Sequence, residues 1–288
     1  MAAANKSSKA VSNVIEFDTA AIAQREAEVA QESDASIEER MREQFGILTE
    51  MTKAVKSGDI RAMIVSGPPG VGKSFGVEEV LAQDDLFNIL GERKPRYEVV
   101  KGAVSAIGLY CKLYEYSEKK SVIIMDDSDD VFYDPLSLNL LKAALDTGSK
   151  RWLSWNTDSR ILRAEGIPDR FEFKGSIIFI TNLKFSNIRS KALKDHLNAL
   201  ESRCHYLDLE IDTTREKLLR IKQITRDGML DKYDFEPGAV EEILDFIEAN
   251  TDKLRELSLR TALKFADLKK SFPTNWQAMA RATTMKKI

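Results

Sequence analysis

Apolar residues along this chain follow two alternating rhythms. Short runs have the length of strands: Ala62-Met63-Ile64-Val65, Tyr97-Glu98-Val99-Val100, Val122-Ile123-Ile124-Met125, Ile177-Ile178-Phe179-Ile180 and Tyr206-Leu207-Asp208-Leu209. The middle runs are apolar on both faces, as strands buried inside a parallel sheet are. Between them the spacing turns helical. Ile37, Met41, Phe45 and Leu48 recur at three- and four-residue intervals, and Val77, Val80 and Leu81 continue a helix from Lys73 to Ala82. Strands alternating with helices predict a three-layer α/β domain with a central, parallel, five-stranded sheet. From Thr213 the pattern is helical throughout: Thr213 to Arg226, Glu236 to Ala249 and Leu259 to Lys269. That predicts a small all-helical lid domain after the sheet.

The expected boundaries are an arm over residues 1–36, the α/β domain over 37–210, the helical domain over 211–271 and a tail over 272–288. The arm is small, polar and acidic, with Glu26, Glu28, Glu32 and Asp34 and few large apolar residues, so it reads as a flexible segment. Composition narrows the class without naming it. With 288 residues, 43% hydrophobic and 31% charged, the chain has material for one large domain or two modest ones. A net charge of −3 argues against coating nucleic acid by bulk charge, though not against a local basic patch. Cys111 and Cys204 lie far apart, and with only His196 and His205 beside them no zinc spacing is evident. No apolar run approaches membrane-spanning length, and the first residues, Met1 to Lys6, lack a signal-peptide core. A cytoplasmic protein with reduced thiols and no membrane partner is expected.

The chemistry begins directly after the first strand. Gly67, Pro68, Pro69, Gly70, Val71, Gly72, Lys73 and Ser74 complete the pattern G-x-x-x-x-G-K-S/T. A strand leading into a glycine loop and then a helix turns several backbone N–H groups, and the positive end of the helix dipole, toward one point. Phosphate is the ligand such a point recognises. The stretch from Gly67 to Phe75 is therefore the expected nucleotide-binding segment, with Lys73 reaching the β- and γ-phosphates and Ser74 holding Mg²⁺. The third run ends in Asp126-Asp127. Asp126, at a strand tip, suits Mg²⁺ held through water, and Asp127 would orient an attacking water. The alternative, that Asp126 to Asp130 merely form a turn with helix N-caps, carries more weight for Asp129 and Asp130 than for Asp126. The fourth run ends in Thr181-Asn182, and the Asn182 amide would bond both water and γ-phosphate.

In this order the motifs resemble those of the AAA+ ATPases, a family of P-loop NTPases, and the resemblance covers Ile37 to Lys270. It implies ATP and Mg²⁺ as cofactors and ATP hydrolysis as the activity. Leu200-Glu201-Ser202-Arg203-Cys204 is similar to the Ser-Arg-Cys motif of clamp-loader subunits, whose arginine enters the neighbouring subunit's ATP site. Leu257-Ser258-Leu259-Arg260 is similar to the sensor-2 arginine segment, and Arg170 competes as a second trans-acting arginine. The resemblance thus implies a ring or helical homo-oligomer, a hexamer being one such ring. Aspartate at 127, where most members have glutamate, departs from the family pattern and points to slow turnover. Clamp-loader subunits carry a helical collar after the small domain, whereas only a short tail follows Lys270. The layout looks more like phage-encoded ATPases, helicase loaders or remodelling chaperones; for a phage protein the compartment would be the host cytoplasm.

Two segments are candidates for touching a client. Ala106-Ile107-Gly108 resembles a polymer-gripping loop tip, and reads equally as a strand-to-helix turn with Ile107 in the core. Lys150-Arg151-Trp152-Leu153-Ser154-Trp155, followed by Arg160, Arg163 and Arg170, predicts a short hairpin whose basic and aromatic residues suit single-stranded DNA. It reads equally as a hairpin packed by its tryptophans. The client classes are therefore single-stranded DNA or a replication protein first, then a threaded polypeptide, then none, with the chain an ATP-gated scaffold.

Overall fold

Each central strand is apolar on both faces, so it needs a helical layer on either side of the sheet. The computed structural model describes residues 19–185 and 191–286. In chain order its elements begin with α1 (Thr19–Gln31), α2 (Asp34–Ser57), β1 (Ala62–Ser66), α3 (Lys73–Asp84), α4 (Leu86–Leu90), β2 (Tyr97–Lys101) and α5 (Ala106–Glu115). There follow β3 (Val122–Asp126), α6 (Pro135–Ala144), β4 (Trp152–Ser154), α7 (Arg160–Ala164), β5 (Arg170–Glu172) and β6 (Ser176–Thr181). The chain continues through α8 (Lys191–Glu201), β7 (His205–Asp208), α9 (Thr214–Ile224), α10 (Ala239–Ala249), α11 (Leu259–Ser271) and α12 (Trp276–Thr284). Two compact units result: residues 45–67 with 73–209, and residues 19–44 with 68–72 and 210–286.

In the first unit, five parallel strands run in the order β2-β3-β6-β1-β7. The period-two alternation of a strand sorts their side chains into two cores. Ile64, Ile123, Met125, Ile177 and Phe179 face one way, against Leu109 and Leu113 of α5 and Leu138 and Leu141 of α6. Met63, Val65, Ile124, Ile178 and Ile180 face the other, against Leu48 and Val55 of α2 and Val77 and Leu81 of α3. The predicted three-layer α/β fold with its five-stranded sheet is present, and the helical region follows it. The strand carrying Asp126 is not adjacent to the loop strand; β6 lies between, so the tip of β6 sits next to both.

The basic and aromatic segment is not a short hairpin. β4 and β5 pair antiparallel, Leu153 opposite Phe171, with α7 inserted between them. Arg151, read as a contact for nucleic acid, is buried and donates to Ala144 O and Gly175 O, both at 2.9 Å. Burial, with Arg61 nearby, pushes its pKa down to about 10. Trp155 packs on Tyr110, ring centroids 5.6 Å apart, whereas Trp152 is exposed with the Arg170 guanidinium 4.6 Å over its ring. Ala106 and Ile107 form the first turn of α5, capped by Ser105, and Ile107 packs against the core. Of its two readings, the strand-to-helix turn is the one present.

The second unit corrects both ends of the expected layout. The arm expected over 1–36 is helical from Thr19, and Val29, Ile37 and Met41 are buried; its first eighteen positions lie outside the described residues. The tail expected over 272–288 contains α12, whose Trp276 is buried against Phe246 and Phe265 at 5.0 and 6.0 Å. Besides these buried apolar residues, ion pairs hold the N-terminal helices. Glu216 is fully buried; its Oε1 accepts Arg25 Nη2 at 2.8 Å and Arg40 Nη2 at 2.9 Å. Its Oε2 accepts the Thr213 amide and hydroxyl, both at 3.0 Å, closing a capping box on α9.

Burial alone would raise the pKa of Glu216, but the bonds from Thr213, Arg40 and Arg25 outweigh it and hold the carboxyl below its ordinary value. A depressed folded-state value contributes stability that is present above the ordinary glutamate range and lost as pH falls through the folded value. Glu216→Ala leaves two arginines facing a void and is expected to cost about 3–5 kcal/mol. Thermal unfolding near neutral pH, followed by circular dichroism, checks this. A variant as stable as the parent would refute the clamp.

Candidate nucleotide site

The loop after β1 is glycine-dependent at its first residue. Gly67 has φ +151°, and a Cβ there would stand 2.9 Å from Leu209 O. Lys73 opens α3 and is only 6% exposed. Its Nζ donates to Gly67 O at 2.7 Å and to Asn182 Oδ1 at 2.8 Å. Ser74, one residue on, donates from Oγ to Asp126 Oδ1 at 2.8 Å. Phe75, included in the expected binding segment, is 72% exposed.

The remaining loop residues, 68–72, belong to the helical unit and are gripped there by backbone and buried polar groups. Leu259 N donates to Gly70 O at 2.9 Å. Gly70 has φ +73°, and a Cβ would fall 2.5 Å from Ser258 Cβ. Arg220, buried in the same unit, donates from Nε to Val71 O at 3.4 Å and from Nη1 to Gln223 Oε1 at 2.7 Å. Burial pushes its pKa down to about 10. Nothing in the loop motif itself pointed to Arg220, since its partner is a backbone carbonyl.

The tips of β3 and β6 are stitched together. Asp126 ends β3 in register with Ile180, and Asp127 then adopts φ +50° while its N–H donates to Ile180 O at 3.1 Å. That left-handed turn aims the Asp127 carboxylate back over β6, where Oδ1 accepts Asn182 Nδ2 at 2.9 Å. Thr181 Oγ1 donates to Asp129 Oδ1 at 2.7 Å and accepts Leu183 N at 3.0 Å. Asp129 therefore ties the turn to the β6 tip instead of merely capping a helix. Burial pushes its carboxyl up, with Asp127 and Asp130 adding to the shift against the Thr181 bond. The Asn182 amide thus bridges the loop lysine and the carboxylate beyond β3.

Ser74 hydroxyl and Asp126 carboxylate form a hard-oxygen pair of the kind Mg²⁺ selects, and these two residues would hold it. The cradle of Gly67 and buried Lys73 fits a phosphate. Both groups are compatible with the residues present. Lys101, at the tip of β2, also approaches this pair, 3.3 Å from Asp126 Oδ2. The sequence signal for it was available, since Lys101 and Asp126 are the last residues of their strands.

The three arginines read as trans-acting or sensor residues each have a partner of their own. Arg203 folds back after α8 and donates from Nη1 to Ala199 O. Beside it, burial raises the Cys204 thiol to about 12. Arg170 is on β5, stacked on Trp152. Arg260 is exposed in the first turn of α11, 4.0 Å from Glu256.

No protein-family model matches the chain. In sequence it is 36% identical over 256 residues to a protein of Enterobacteria phage T4, described as an uncharacterized 36.7 kDa protein in the nrdC-mobD intergenic region. That match covers 88% of this chain and 77% of the phage T4 protein. Among solved structures it is similar to domain III of the replication initiation protein DnaA from Thermotoga maritima, with a TM-score of 0.47 and 16% identity over 84% of this chain and 91% of that one. It is also similar to NtrX from Brucella abortus in complex with ATP, with a TM-score of 0.44 and 14% identity over 78% of this chain and 49% of that one.

The positive φ at Gly70 and its closeness to Ser258 yield a direct prediction. Gly70→Ala is expected to cost about 1–3 kcal/mol from backbone strain before the overlap is relieved. Chemical denaturation measures it, and an unchanged midpoint would show that the Gly70 carbonyl is not held as described.

Proposed function

The chain belongs to the same family as the phage T4 protein, and we propose that it is an AAA+ ATPase that binds Mg-ATP and hydrolyses it at subunit interfaces of a homo-oligomer. The observation that carries this reading is the Asn182 amide, 2.8 Å from Lys73 Nζ and 2.9 Å from Asp127 Oδ1. Three separate stretches of sequence meet there, which supports a site for a γ-phosphate and an attacking water. Lys73 neutralises phosphate charge, Ser74 and Asp126 hold the metal, and Asp127 orients the water while Asn182 bonds both water and phosphate. Mg²⁺, when bound, offsets charge between the β- and γ-phosphates.

Arg203 is the proposed trans-acting finger, with Arg170 as its competitor and Arg260 as the sensor arginine of the helical unit. To serve a neighbouring subunit, Arg203 must exchange Ala199 O for a phosphate, a stronger and charge-assisted acceptor. The proposed setting is the host cytoplasm, in keeping with a phage-encoded relative. Single-stranded DNA or a replication protein is the proposed client. Trp152 and Arg170 are the exposed pair that supports it, and Arg151 drops out because it is buried. The polypeptide-threading reading loses its grip residue, Ile107, to the core.

A second reading, an ATP-gated scaffold with rare turnover, is favoured by Asp127. It is one methylene shorter than glutamate and is already occupied by Asn182.

Steady-state ATPase assays with nucleotide-binding measurements test these assignments. Lys73→Ala should abolish binding. Asp127→Asn should retain Mg-ATP and lose about 10²–10⁴ in turnover. Unchanged turnover in Asp127→Asn sinks the hydrolytic assignment. Arg203→Ala should lower the assembled enzyme's rate by about 10³ or more; ATP-dependent assembly with turnover indifferent to Arg203 is the scaffold's signature. Stimulation by single-stranded DNA, lost in Trp152→Ala with Arg170→Ala, would identify the client, and stimulation by protein alone would exclude it.

A further inference from the structure

Both carboxylate oxygens of Asp126 are occupied by the protein's own groups. Oδ1 accepts Ser74 Oγ at 2.8 Å, and Oδ2 faces Lys101 Nζ at 3.3 Å. Asp126 is buried at 5% exposure, so its charge has little water to stabilise it. Lys101 supplies the countercharge from the adjacent strand, where the pairing of β2 with β3 sets Lys101 opposite Asp126. Lys101 also has a second acceptor outside the candidate metal site. Its Nζ donates to Glu78 Oε1 on α3 at 2.9 Å, and its side chain is 59% exposed, so it is free to pivot. The Glu78 bond, and to a lesser degree Asp126, raises its pKa, so the ammonium stays charged at neutral pH.

We propose that Lys101 is a resident cation of the metal site: it neutralises Asp126 in the metal-free protein, competes with Mg²⁺ for that carboxylate, and withdraws to Glu78 when the ion binds. The proposal rests on the nucleotide-site reading above. The physical reason is charge conflict. A divalent ion beside Ser74 and Asp126 would lie within a few ångströms of the Lys101 ammonium, and the two cations repel at that range. Glu78 offers the ammonium a place to go without leaving a charge unpaired.

The consequence is a metal affinity tuned by two residues that need not touch the metal. Manganese serves as the probe, its free concentration read by electron paramagnetic resonance during titration of the full-length protein with ADP bound. Lys101→Met removes the competitor and is expected to tighten Mn²⁺ binding about fivefold, the scale of one exposed ion pair. Lys101→Arg keeps the charge and should stay near the parent. Glu78→Gln deprives Lys101 of its alternative and should weaken Mn²⁺ binding. In the Lys101→Met background the same Glu78→Gln change should have almost no effect, because Glu78 acts only through the lysine.

ADP binding without metal, measured in parallel, separates the two levels of the reading. Parent protein that binds no ADP overturns the nucleotide site and this proposal together. Parent protein that binds ADP and Mn²⁺, with Mn²⁺ affinity unchanged or weaker in Lys101→Met, overturns the proposal alone. So does a Glu78→Gln effect of equal size in both backgrounds, which would make Glu78 a simple long-range attractor of cations.

Discussion

A buried ammonium must be answered by nearby oxygens, and the arrangement of the sheet unit's candidate site follows from how Lys73 is answered. Its Nζ donates to a backbone carbonyl of its own loop, Gly67 O, and to Asn182 Oδ1. The first partner demands that the loop curl back over the lysine, which the φ of +151° at Gly67 permits. The second demands that the tip of β6 lie beside β1, which the strand order provides. With β6 between β1 and β3, a single amide side chain reaches both the lysine and the turn beyond Asp126. A sheet with β3 next to β1 would bring the carboxylates closer to the loop and leave no place for that bridge.

The turn after β3 accommodates the same constraint from the other side. A non-glycine residue at φ +50° is strained by on the order of 1–3 kcal/mol and persists only where its surroundings over-determine it. Here the surroundings are the Asp127 N–H bond to Ile180 O, the Asn182 bond to the carboxylate, and the Thr181 hydroxyl on Asp129. Asp127 is shorter than glutamate, yet this turn brings its carboxylate back toward the β6 tip.

The sheet was legible because its central strands are runs such as Val122 to Met125, which no amphipathic helix of that length would carry. The loop and carboxylate tips were legible because their chemistry lies in contiguous residues. Features held by long-range contacts were not. Nothing local marks Arg25 and Arg40 as partners of Glu216, almost two hundred residues away, so the segment from Thr19 read as an arm. Trp276 stands beside Pro273 and looked like tail, yet its indole fills a gap between Phe246 and Phe265. Arg151 read as surface because a lone arginine is usually solvated; here two backbone carbonyls left over at Ala144 and Gly175 bring it inside. Long-range contacts, invisible in sequence, decided each of these positions.

The cations of the proposed site share one property: each is held by a protein oxygen or ring. Lys73 has Gly67 O and Asn182, Lys101 has Glu78 and Asp126, Arg203 has Ala199 O, and Arg170 has the Trp152 ring. These partners are mostly neutral or shared, and a triphosphate would displace them with charge-assisted bonds about twice as strong. Binding then exchanges partners instead of ordering free side chains, which lowers the entropic cost of binding. The exchange also couples the groups. Were Lys73 to turn to phosphate, Asn182 Oδ1 would lose its donor while Asn182 Nδ2 could still hold Asp127. In the proposed reading, the shared Asn182 amide would link phosphate bound at Lys73 to the Asp127 carboxylate with no moving part larger than a side chain.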